Sequence, residues 1–312
     1  MILSCIHTHT TFCDGAADVE TMCAAAFAKG FESLGFSSHA PIAAKTGIRT
    51  FWHLPDERLA EYIDTVLAAR RRWAGRLKVF LGLEVDYIRG LCGPGDRDIL
   101  DLPLDYIIGA VHYVPSPGGE LFIVDAPEEE FVPGFRDYFD NDGGALVRAY
   151  WEAYGELIRA GGCDVLAHLD LVKKNNARFG FFSPEDPRYR RQLAETADLI
   201  AEVRSRSGAG TVPETGAESR RPGSGLPVVE VNTGGIIRGR TPDPYPSPAM
   251  LGLLKERNVP LTINADAHAP DHLGGAYGTA AADMRKAGYT AMLVFEGREA
   301  GKALWREEPL DP

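Results

Sequence analysis

Short apolar runs alternate with amphipathic segments along the whole 312-residue chain, and this alternation limits the folds open to it. Runs near residues 2–6, 33–36, 78–83, 105–110, 165–167, 227–231 and 261–264 have the length and composition of buried strands. A further run lies at 291–295. Residues 18–29, 55–73, 145–160, 184–205, 247–257 and 275–287 carry helical patterns between them. Helix-start signals mark several of these: Asp18 with Glu20, Ser183-Pro184-Glu185, and Ser247-Pro248. Strands separated by helices pair in parallel, with the helices covering the outside. Seven or eight such units favour a closed barrel over an open doubly wound sheet. No G-x-G-x-x-G turn follows the first strand, which weighs against a dinucleotide-binding sheet. The sequence therefore predicts one α/β, TIM-like barrel domain over residues 1–312.

Two stretches interrupt the alternation. Residues 115–142 are long and mixed, with Pro117-Gly118-Gly119 and Glu128-Glu129-Glu130. They read as a long loop after a strand, either a surface insertion or a lid. Residues 207–225 are rich in Gly, Ser, Pro, Arg and Glu and read as a flexible loop. That loop precedes a strand, so on a barrel it belongs to the face opposite the strands' C-terminal ends.

Histidines and carboxylates stand at or just beyond the ends of the apolar runs. His7 and His9 close the first, with Asp14 in the turn that follows. His39, Glu84, His112, His168, and the pair Asp266 and His268 follow later runs. Strand residues i and i+2 share a face, so His7 and His9 can reach one metal. Each residue alone could be a packed or capping side chain. In a barrel, however, all strand C-termini meet on one rim. The joint pattern therefore predicts one shared metal cluster. Nitrogen and oxygen ligands without thiolate suit Zn, Fe or Mn.

Bulk properties narrow the function. Lys and Arg number 33 against 44 Asp and Glu, a net charge of −11, so a nucleic-acid-binding surface is not expected from bulk electrostatics, which still leaves room for a local basic pocket. The five cysteines form no C-x-x-C pair, which argues against a disulfide framework and a thiolate zinc site. The N-terminus lacks a signal-peptide pattern, and no apolar run approaches membrane-helix length. A cytoplasmic protein without a membrane partner is the expectation.

His7-x-His9 with Asp14-Gly15, Ser37-Ser38-His39-Ala40-Pro41, Gly82-Leu83-Glu84-Val85-Asp86, Gly109-Ala110-Val111-His112, Ala167-His168-Leu169-Asp170 and Asp266-Ala267-His268 together resemble the polymerase and histidinol phosphatase (PHP) family. The Phe12–Gly15 and Gly35–Pro41 segments and the Asn232-Thr233-Gly234-Gly235 turn are most similar to its histidinol-phosphatase branch. The resemblance implies a distorted (β/α)7 barrel with a trinuclear metal site, and makes the 291–295 strand peripheral. It implies that His7, His9, Glu84 and Asp266 hold one divalent ion. Glu84 bridges to a second with His112 and His168, and Asp14, His39 and His268 hold a third. The implied activity is hydrolysis of L-histidinol phosphate to L-histidinol and phosphate, in histidine biosynthesis, by attack of a metal-bridging hydroxide.

Around this core, Asp266, His268 and Arg178 are the catalytic candidates. Arg178, Arg238 and Arg240 are candidates to hold the phosphate, because guanidinium matches a phosphate dianion. Glu230 could meet a cationic group of the substrate, and Tyr113 could close over it. His53 reads as a substrate contact or a surface histidine. Two alternatives remain open: a PHP-type phosphoesterase acting on another small phosphate ester or nucleotide, and a non-catalytic metal-binding PHP module. An amidohydrolase-like barrel is weaker, since no metal-bridging lysine follows a mid-chain strand.

Overall fold

The computed structural model describes residues 3–208 and 227–310. Strands run in chain order as β1 (Ser4–Cys5), β2 (Ser33–Phe36), β3 (Lys78–Asp86), β4 (Tyr106–Ala110), β5 (Tyr113–Pro115), β6 (Leu121–Ile123), β7 (Val165–Leu166), β8 (Val228–Asn232), β9 (Leu261–Asn264), β10 (Ala291–Glu299) and β11 (Lys302–Pro309). Seven of them form one parallel sheet in the order β1-β2-β3-β4-β7-β8-β9. Just beyond β1 and β9 the ring is joined by backbone hydrogen bonds. His9 N donates to Ala267 O at 2.8 Å, and Ala267 N donates to His7 O at 3.1 Å. The seven expected strands are all present, each within a few residues of its predicted ends.

The longer helices are α1 (Val19–Ala28), α2 (Leu59–Trp73), α3 (Glu128–Phe139), α4 (Gly143–Ala160), α5 (Pro187–Gly208), α6 (Pro248–Glu256) and α7 (Tyr277–Lys286). Asp18 caps α1 by accepting from Thr21 N at 2.8 Å, and Asp142 caps α4 from Ala145 N at 2.9 Å. On α4, Leu146, Tyr150, Ala153, Tyr154 and Leu157 repeat at three and four residues and bury one face. No helix among the described residues is long and apolar enough to cross a membrane.

Inside the barrel, Ile6, Phe80, Tyr106, Ile108 and Val165 pack around one large ring. Tyr106 donates its hydroxyl to Ile6 O at 2.6 Å and Phe36 O at 3.0 Å. Gly82 makes room for it: a Cβ there would lie 2.4 Å from the Tyr106 ring. The 291–295 run is peripheral, as the resemblance implied. It forms β10, which pairs antiparallel with β11 and lies outside the seven-stranded ring. Phe295 stands 4.9 Å from Phe80 and 5.4 Å from Tyr106, so this hairpin plugs the N-terminal end of the barrel.

The 115–142 stretch differs from the long loop expected. Pro117-Gly118-Gly119 is only the turn of the β5–β6 hairpin, and α3 follows it. Phe131, Phe135 and Phe139, four residues apart, bury one side of α3. The flexible loop expected at about 207–225 begins inside α5, and its residues from 209 on lie outside the described residues.

Candidate metal centre

The C-terminal rim gathers all nine candidate ligands around Glu84, which sits within β3 and is 1 % exposed. Its Oε2 faces three imidazoles: His39 Nδ1 at 3.1 Å, His7 Nε2 at 3.2 Å and His9 Nε2 at 3.5 Å. Its Oε1 faces His168 Nε2 at 2.9 Å and His112 Nε2 at 3.7 Å. Asp266 Oδ1 lies 3.3 Å from His9 Nε2 and 3.8 Å from His7 Nε2. Asp266 reaches this position from left-handed backbone, φ 49°, a strained choice for an aspartate. Asp14 lies beside His268 Nε2 (3.2 Å), His9 Nδ1 (3.6 Å) and His39 Nε2 (3.9 Å). The turn that holds Asp14 needs Gly15, because a Cβ there would meet the Thr10 backbone at 2.4 Å.

Four groups of donor atoms lie within 4.8 Å of one another: His7, His9 and Glu84; Glu84, His112 and His168; His9, Asp14, His39 and His268; and His39, Asp86 and His112. The first three share most of their members with the sets implied by the resemblance: Asp266, implied in the first, lies outside that group, and His9 joins the third. Asp86 was not anticipated.

The electrostatics fit a cationic occupant. His7 Nε2, His9 Nε2, His39 Nδ1, Glu84 Oε2 and Asp14 Oδ1 are buried and make no hydrogen bond, a costly state for donors that point at one another. Burial pushes the Glu84 carboxyl up, but His39 and His7 outweigh it and hold the group well below the usual range. Burial opposes ionisation of Asp266 too, and Arg238 and His7 overcome it. Asp266 thus meets the cluster as a carboxylate paired with Arg238. Burial likewise opposes protonation of His7 and His9, yet Glu230 and Glu84 beside His7, and Cys13 and Asp266 beside His9, raise both well above the ordinary value. Without metal these imidazoles keep protons between the carboxylates. Divalent cations can take the protons' place in an all nitrogen-and-oxygen donor set.

A second layer of carboxylates orients the first. Glu230 is fully buried and accepts from His7 Nδ1 (2.7 Å), Asn232 Nδ2 (2.6 Å) and Asn264 Nδ2 (3.0 Å). It therefore faces a ligand's far nitrogen rather than the open cavity, which corrects the expectation of a substrate contact. Asp86 Oδ1 accepts from His112 Nδ1 at 2.7 Å. These bonds leave Nε2 of His7 and His112 turned toward Glu84.

A cavity of about 680 Å³ opens over the cluster. Asp14, His39, Glu84, His112, His168, Asp266 and His268 form its floor. Arg178, Arg238 and Arg240 line it as expected, but their partners differ. Arg238 Nη2 donates to Asp266 Oδ2 at 2.8 Å, and Arg178, 63 % exposed, pairs with Glu128 at 2.5 Å. Arg240 is exposed at the mouth. Tyr113 does not line the cavity. It is 3 % exposed and stacks against Trp52 at 5.6 Å, and the aromatic side chains that line the cavity from this side are Phe51 and Trp52.

The PHP domain model matches residues 6–205, which hold every candidate ligand except Asp266 and His268. The chain belongs to the PHP family. Asp266 and His268 are brought to this PHP site by closure of the barrel. The chain is 31% identical over 288 residues to a protein of Deinococcus radiodurans named as a probable histidinol-phosphatase, covering 90% of this chain and 92% of that one. It is 27% identical over 289 residues to the histidinol-phosphatase of Bacillus subtilis, covering 87% and 95%. Solved structures share the fold. A candidate histidinol phosphatase from Listeria monocytogenes superposes with a TM-score of 0.71 at 21% identity, covering 88% of this chain and 99% of that one. The histidinol phosphate phosphatase of Lactococcus lactis, solved with zinc, L-histidinol and phosphate, gives 0.65 at 18% identity, covering 95% and 99%.

Proposed function

We propose that this PHP barrel is a metal-dependent phosphomonoesterase that hydrolyses L-histidinol phosphate to L-histidinol and phosphate, a step of histidine biosynthesis. The observation that carries the reading is a filled donor set around Glu84 in a chain similar over nine-tenths of its length to a named histidinol-phosphatase. A module that had lost catalysis would be free to lose these ligands, and none of the nine is missing.

In this reading the site holds three divalent ions, drawn from zinc, iron and manganese. His7, His9, Glu84 and Asp266 would hold one, Glu84, His112 and His168 the second, and Asp14, His39 and His268 the third. Bound metals supply Lewis acidity, which activates water near neutral pH and offsets charge on the phosphoryl group. The residues of the chain do the rest. Glu84 stays ionised and presents one oxygen to each side of the cluster. Arg238 holds Asp266 ionised and in place. His268, with a side chain 22 % exposed, is the most open of the histidine ligands and faces the incoming ester.

Arg178 and Arg240 are exposed guanidiniums that line the cavity where the phosphate would enter. The same cavity is lined by Asp125, Glu128 and Glu129 and by Phe51 and Trp52. A substrate with a phosphate, an ammonium and a flat imidazole suits this lining. Its phosphate takes Arg178 from Glu128, and its ammonium takes Glu128 in exchange. A simple phosphate ester would leave Glu128 without a cation, which favours histidinol phosphate over sugar phosphates and nucleotides.

Phosphate release measured on L-histidinol phosphate beside a panel of sugar phosphates and nucleotides tests the assignment. A rate at least about a hundredfold higher on histidinol phosphate is expected, the scale of one well-placed ion pair. Equal, slow rates on all would remove it.

A further inference from the structure

A chain of enclosed hydrogen bonds leads away from the metal centre through His112. His112 Nδ1 lies 2.7 Å from Asp86 Oδ1, and Asp86 Oδ2 lies 2.9 Å from His53 Nε2. His53 Nδ1 lies 2.7 Å from Thr50 Oγ1. Asp86 is 1 % exposed and His53 7 %. Every proton has a place. The two imidazole N–H groups donate to the carboxylate, and the Thr50 hydroxyl donates to His53 Nδ1. The His53 backbone N–H donates back to Thr50 Oγ1 at 3.2 Å. With Nδ1 of His112 committed as a donor, its Nε2 lone pair is left for the metal side.

The loop that carries His53 also carries a wall of the cavity. The Trp52 ring stacks on His53 with centroids 3.8 Å apart and planes at 29°. It stands edge-on to two ligands, His39 at 4.9 Å and His112 at 5.5 Å. Leu54 N ties the end of the same loop to His39 O at 3.1 Å. His53 thus touches both the support of one ligand and the back of the aromatic wall, while touching no candidate ligand through a hydrogen bond itself.

We propose that His53 is a positioning residue that couples metal loading to the substrate wall: through Asp86 it fixes the orientation of His112, and through its stacked ring it holds Trp52 over the cavity. This rests on the metal-centre reading above. Loss of the His53 ring leaves a buried Asp86 oxygen without a donor, frees the carboxylate to turn, and lets the His112 ring rotate. It also removes the surface on which Trp52 lies. Filling of the Glu84, His112 and His168 position should in turn hold Asp86, His53 and Trp52 still.

The test is a zinc titration of the full chain after chelator treatment, following bound zinc per chain and tryptophan fluorescence together. Subtraction of the Trp52→Phe signal isolates Trp52 from the other tryptophans. The parent is expected to show a Trp52 change that tracks zinc binding. His53→Leu should lose that change and weaken the zinc site that uses His112 by about tenfold, the lower end for outer-layer partners of a metal ligand. His53→Gln, whose amide N–H can still reach Asp86, should recover most of the affinity without the stacked-ring signal. At saturating zinc, His53→Leu should raise KM more than it lowers kcat. Should His53→Leu not fold, Thr50→Val carries the test, with a smaller loss in the same direction expected. Parental zinc affinity and parental fluorescence in these variants would overturn the proposal. A parent chain that takes up none of zinc, iron and manganese would instead overturn the metal-centre reading, and one that binds metal but spares histidinol phosphate would overturn only the substrate.

Discussion

Glu230 Oε2 lies 2.7 Å from His7 Nδ1, and both side chains are wholly shut off from solvent. A carboxylate so placed fixes which imidazole nitrogen carries the proton and turns the other toward Glu84. It also makes the ligand more basic. Glu230→Gln puts an amide N–H among groups that all donate. Metal affinity is expected to fall about 10- to 100-fold, measured by competition against a chelator. A substrate contact would behave differently, raising KM with metal affinity intact.

The arginines at the rim separate by partner. Arg238 donates to both Asp266 Oδ2 and Asp266 O at 2.8 Å, so its loss uncovers a buried charge. Arg238→Ala is expected to lower kcat by about 10- to 100-fold, on the scale of a lost bond to a charged group. Arg178→Ala should mainly raise KM, by about tenfold, because its guanidinium is exposed and pairs with Glu128 over the Phe179 ring before substrate arrives. Steady-state kinetics on histidinol phosphate distinguishes the two patterns.

The metal-stripped chain carries a pH signature. Burial alone would depress His112, but Asp86 beside it outweighs burial and lifts the imidazole to about 10. A histidine raised in the folded state contributes stability that is fully present below its unfolded value near 6.5. That contribution is lost as pH rises through about 10. His7 and His9 shift the same way. Chelator-treated protein should therefore show a Tm that falls between about pH 6.5 and 10. A flatter profile is expected for His112→Gln, and calorimetry across that range checks both.

The barrel interior makes a stability prediction independent of the metals. A Cβ at Gly82 would sit 2.4 Å from the Tyr106 ring, and one at Gly35 2.5 Å from its hydroxyl. Gly82→Ala is expected to destabilise the fold by about 3 kcal/mol. Tyr106→Leu in the same chain should recover part of that loss, as coupled neighbours do. Denaturant unfolding of the two single variants and the pair measures it.

Much of this was legible before any coordinates. The barrel follows from strand–helix alternation, and the ligands follow because strand ends on a closed barrel converge. What escaped did so for definite reasons. Glu230 at a strand end reads alike whether it faces substrate or His7, and His7 is 223 residues away in sequence. The α3 phenylalanines carry a four-residue repeat that the neighbouring turn residues mask. Strand β11 has only a three-residue apolar run, Ala303-Leu304-Trp305, before the charged Arg306-Glu307-Glu308, so its sequence carries no strand signal of usual length for its pairing with β10. His53 is placed by its bond to Asp86, which loop composition does not encode. Asp86 itself could have been found: it stands two residues beyond Glu84 on one strand, so the rule that joins His7 to His9 puts it on the same face.

The central claim is that these ligands form one cluster pivoting on Glu84. Counting metal ions bound per chain, in the parent and in Glu84→Gln, tests it most directly. The account predicts three equivalents in the parent and loss of at least two in the variant, since Glu84 faces donors on both sides. One equivalent or none in a well-folded parent, or an unchanged count in Glu84→Gln, would contradict it.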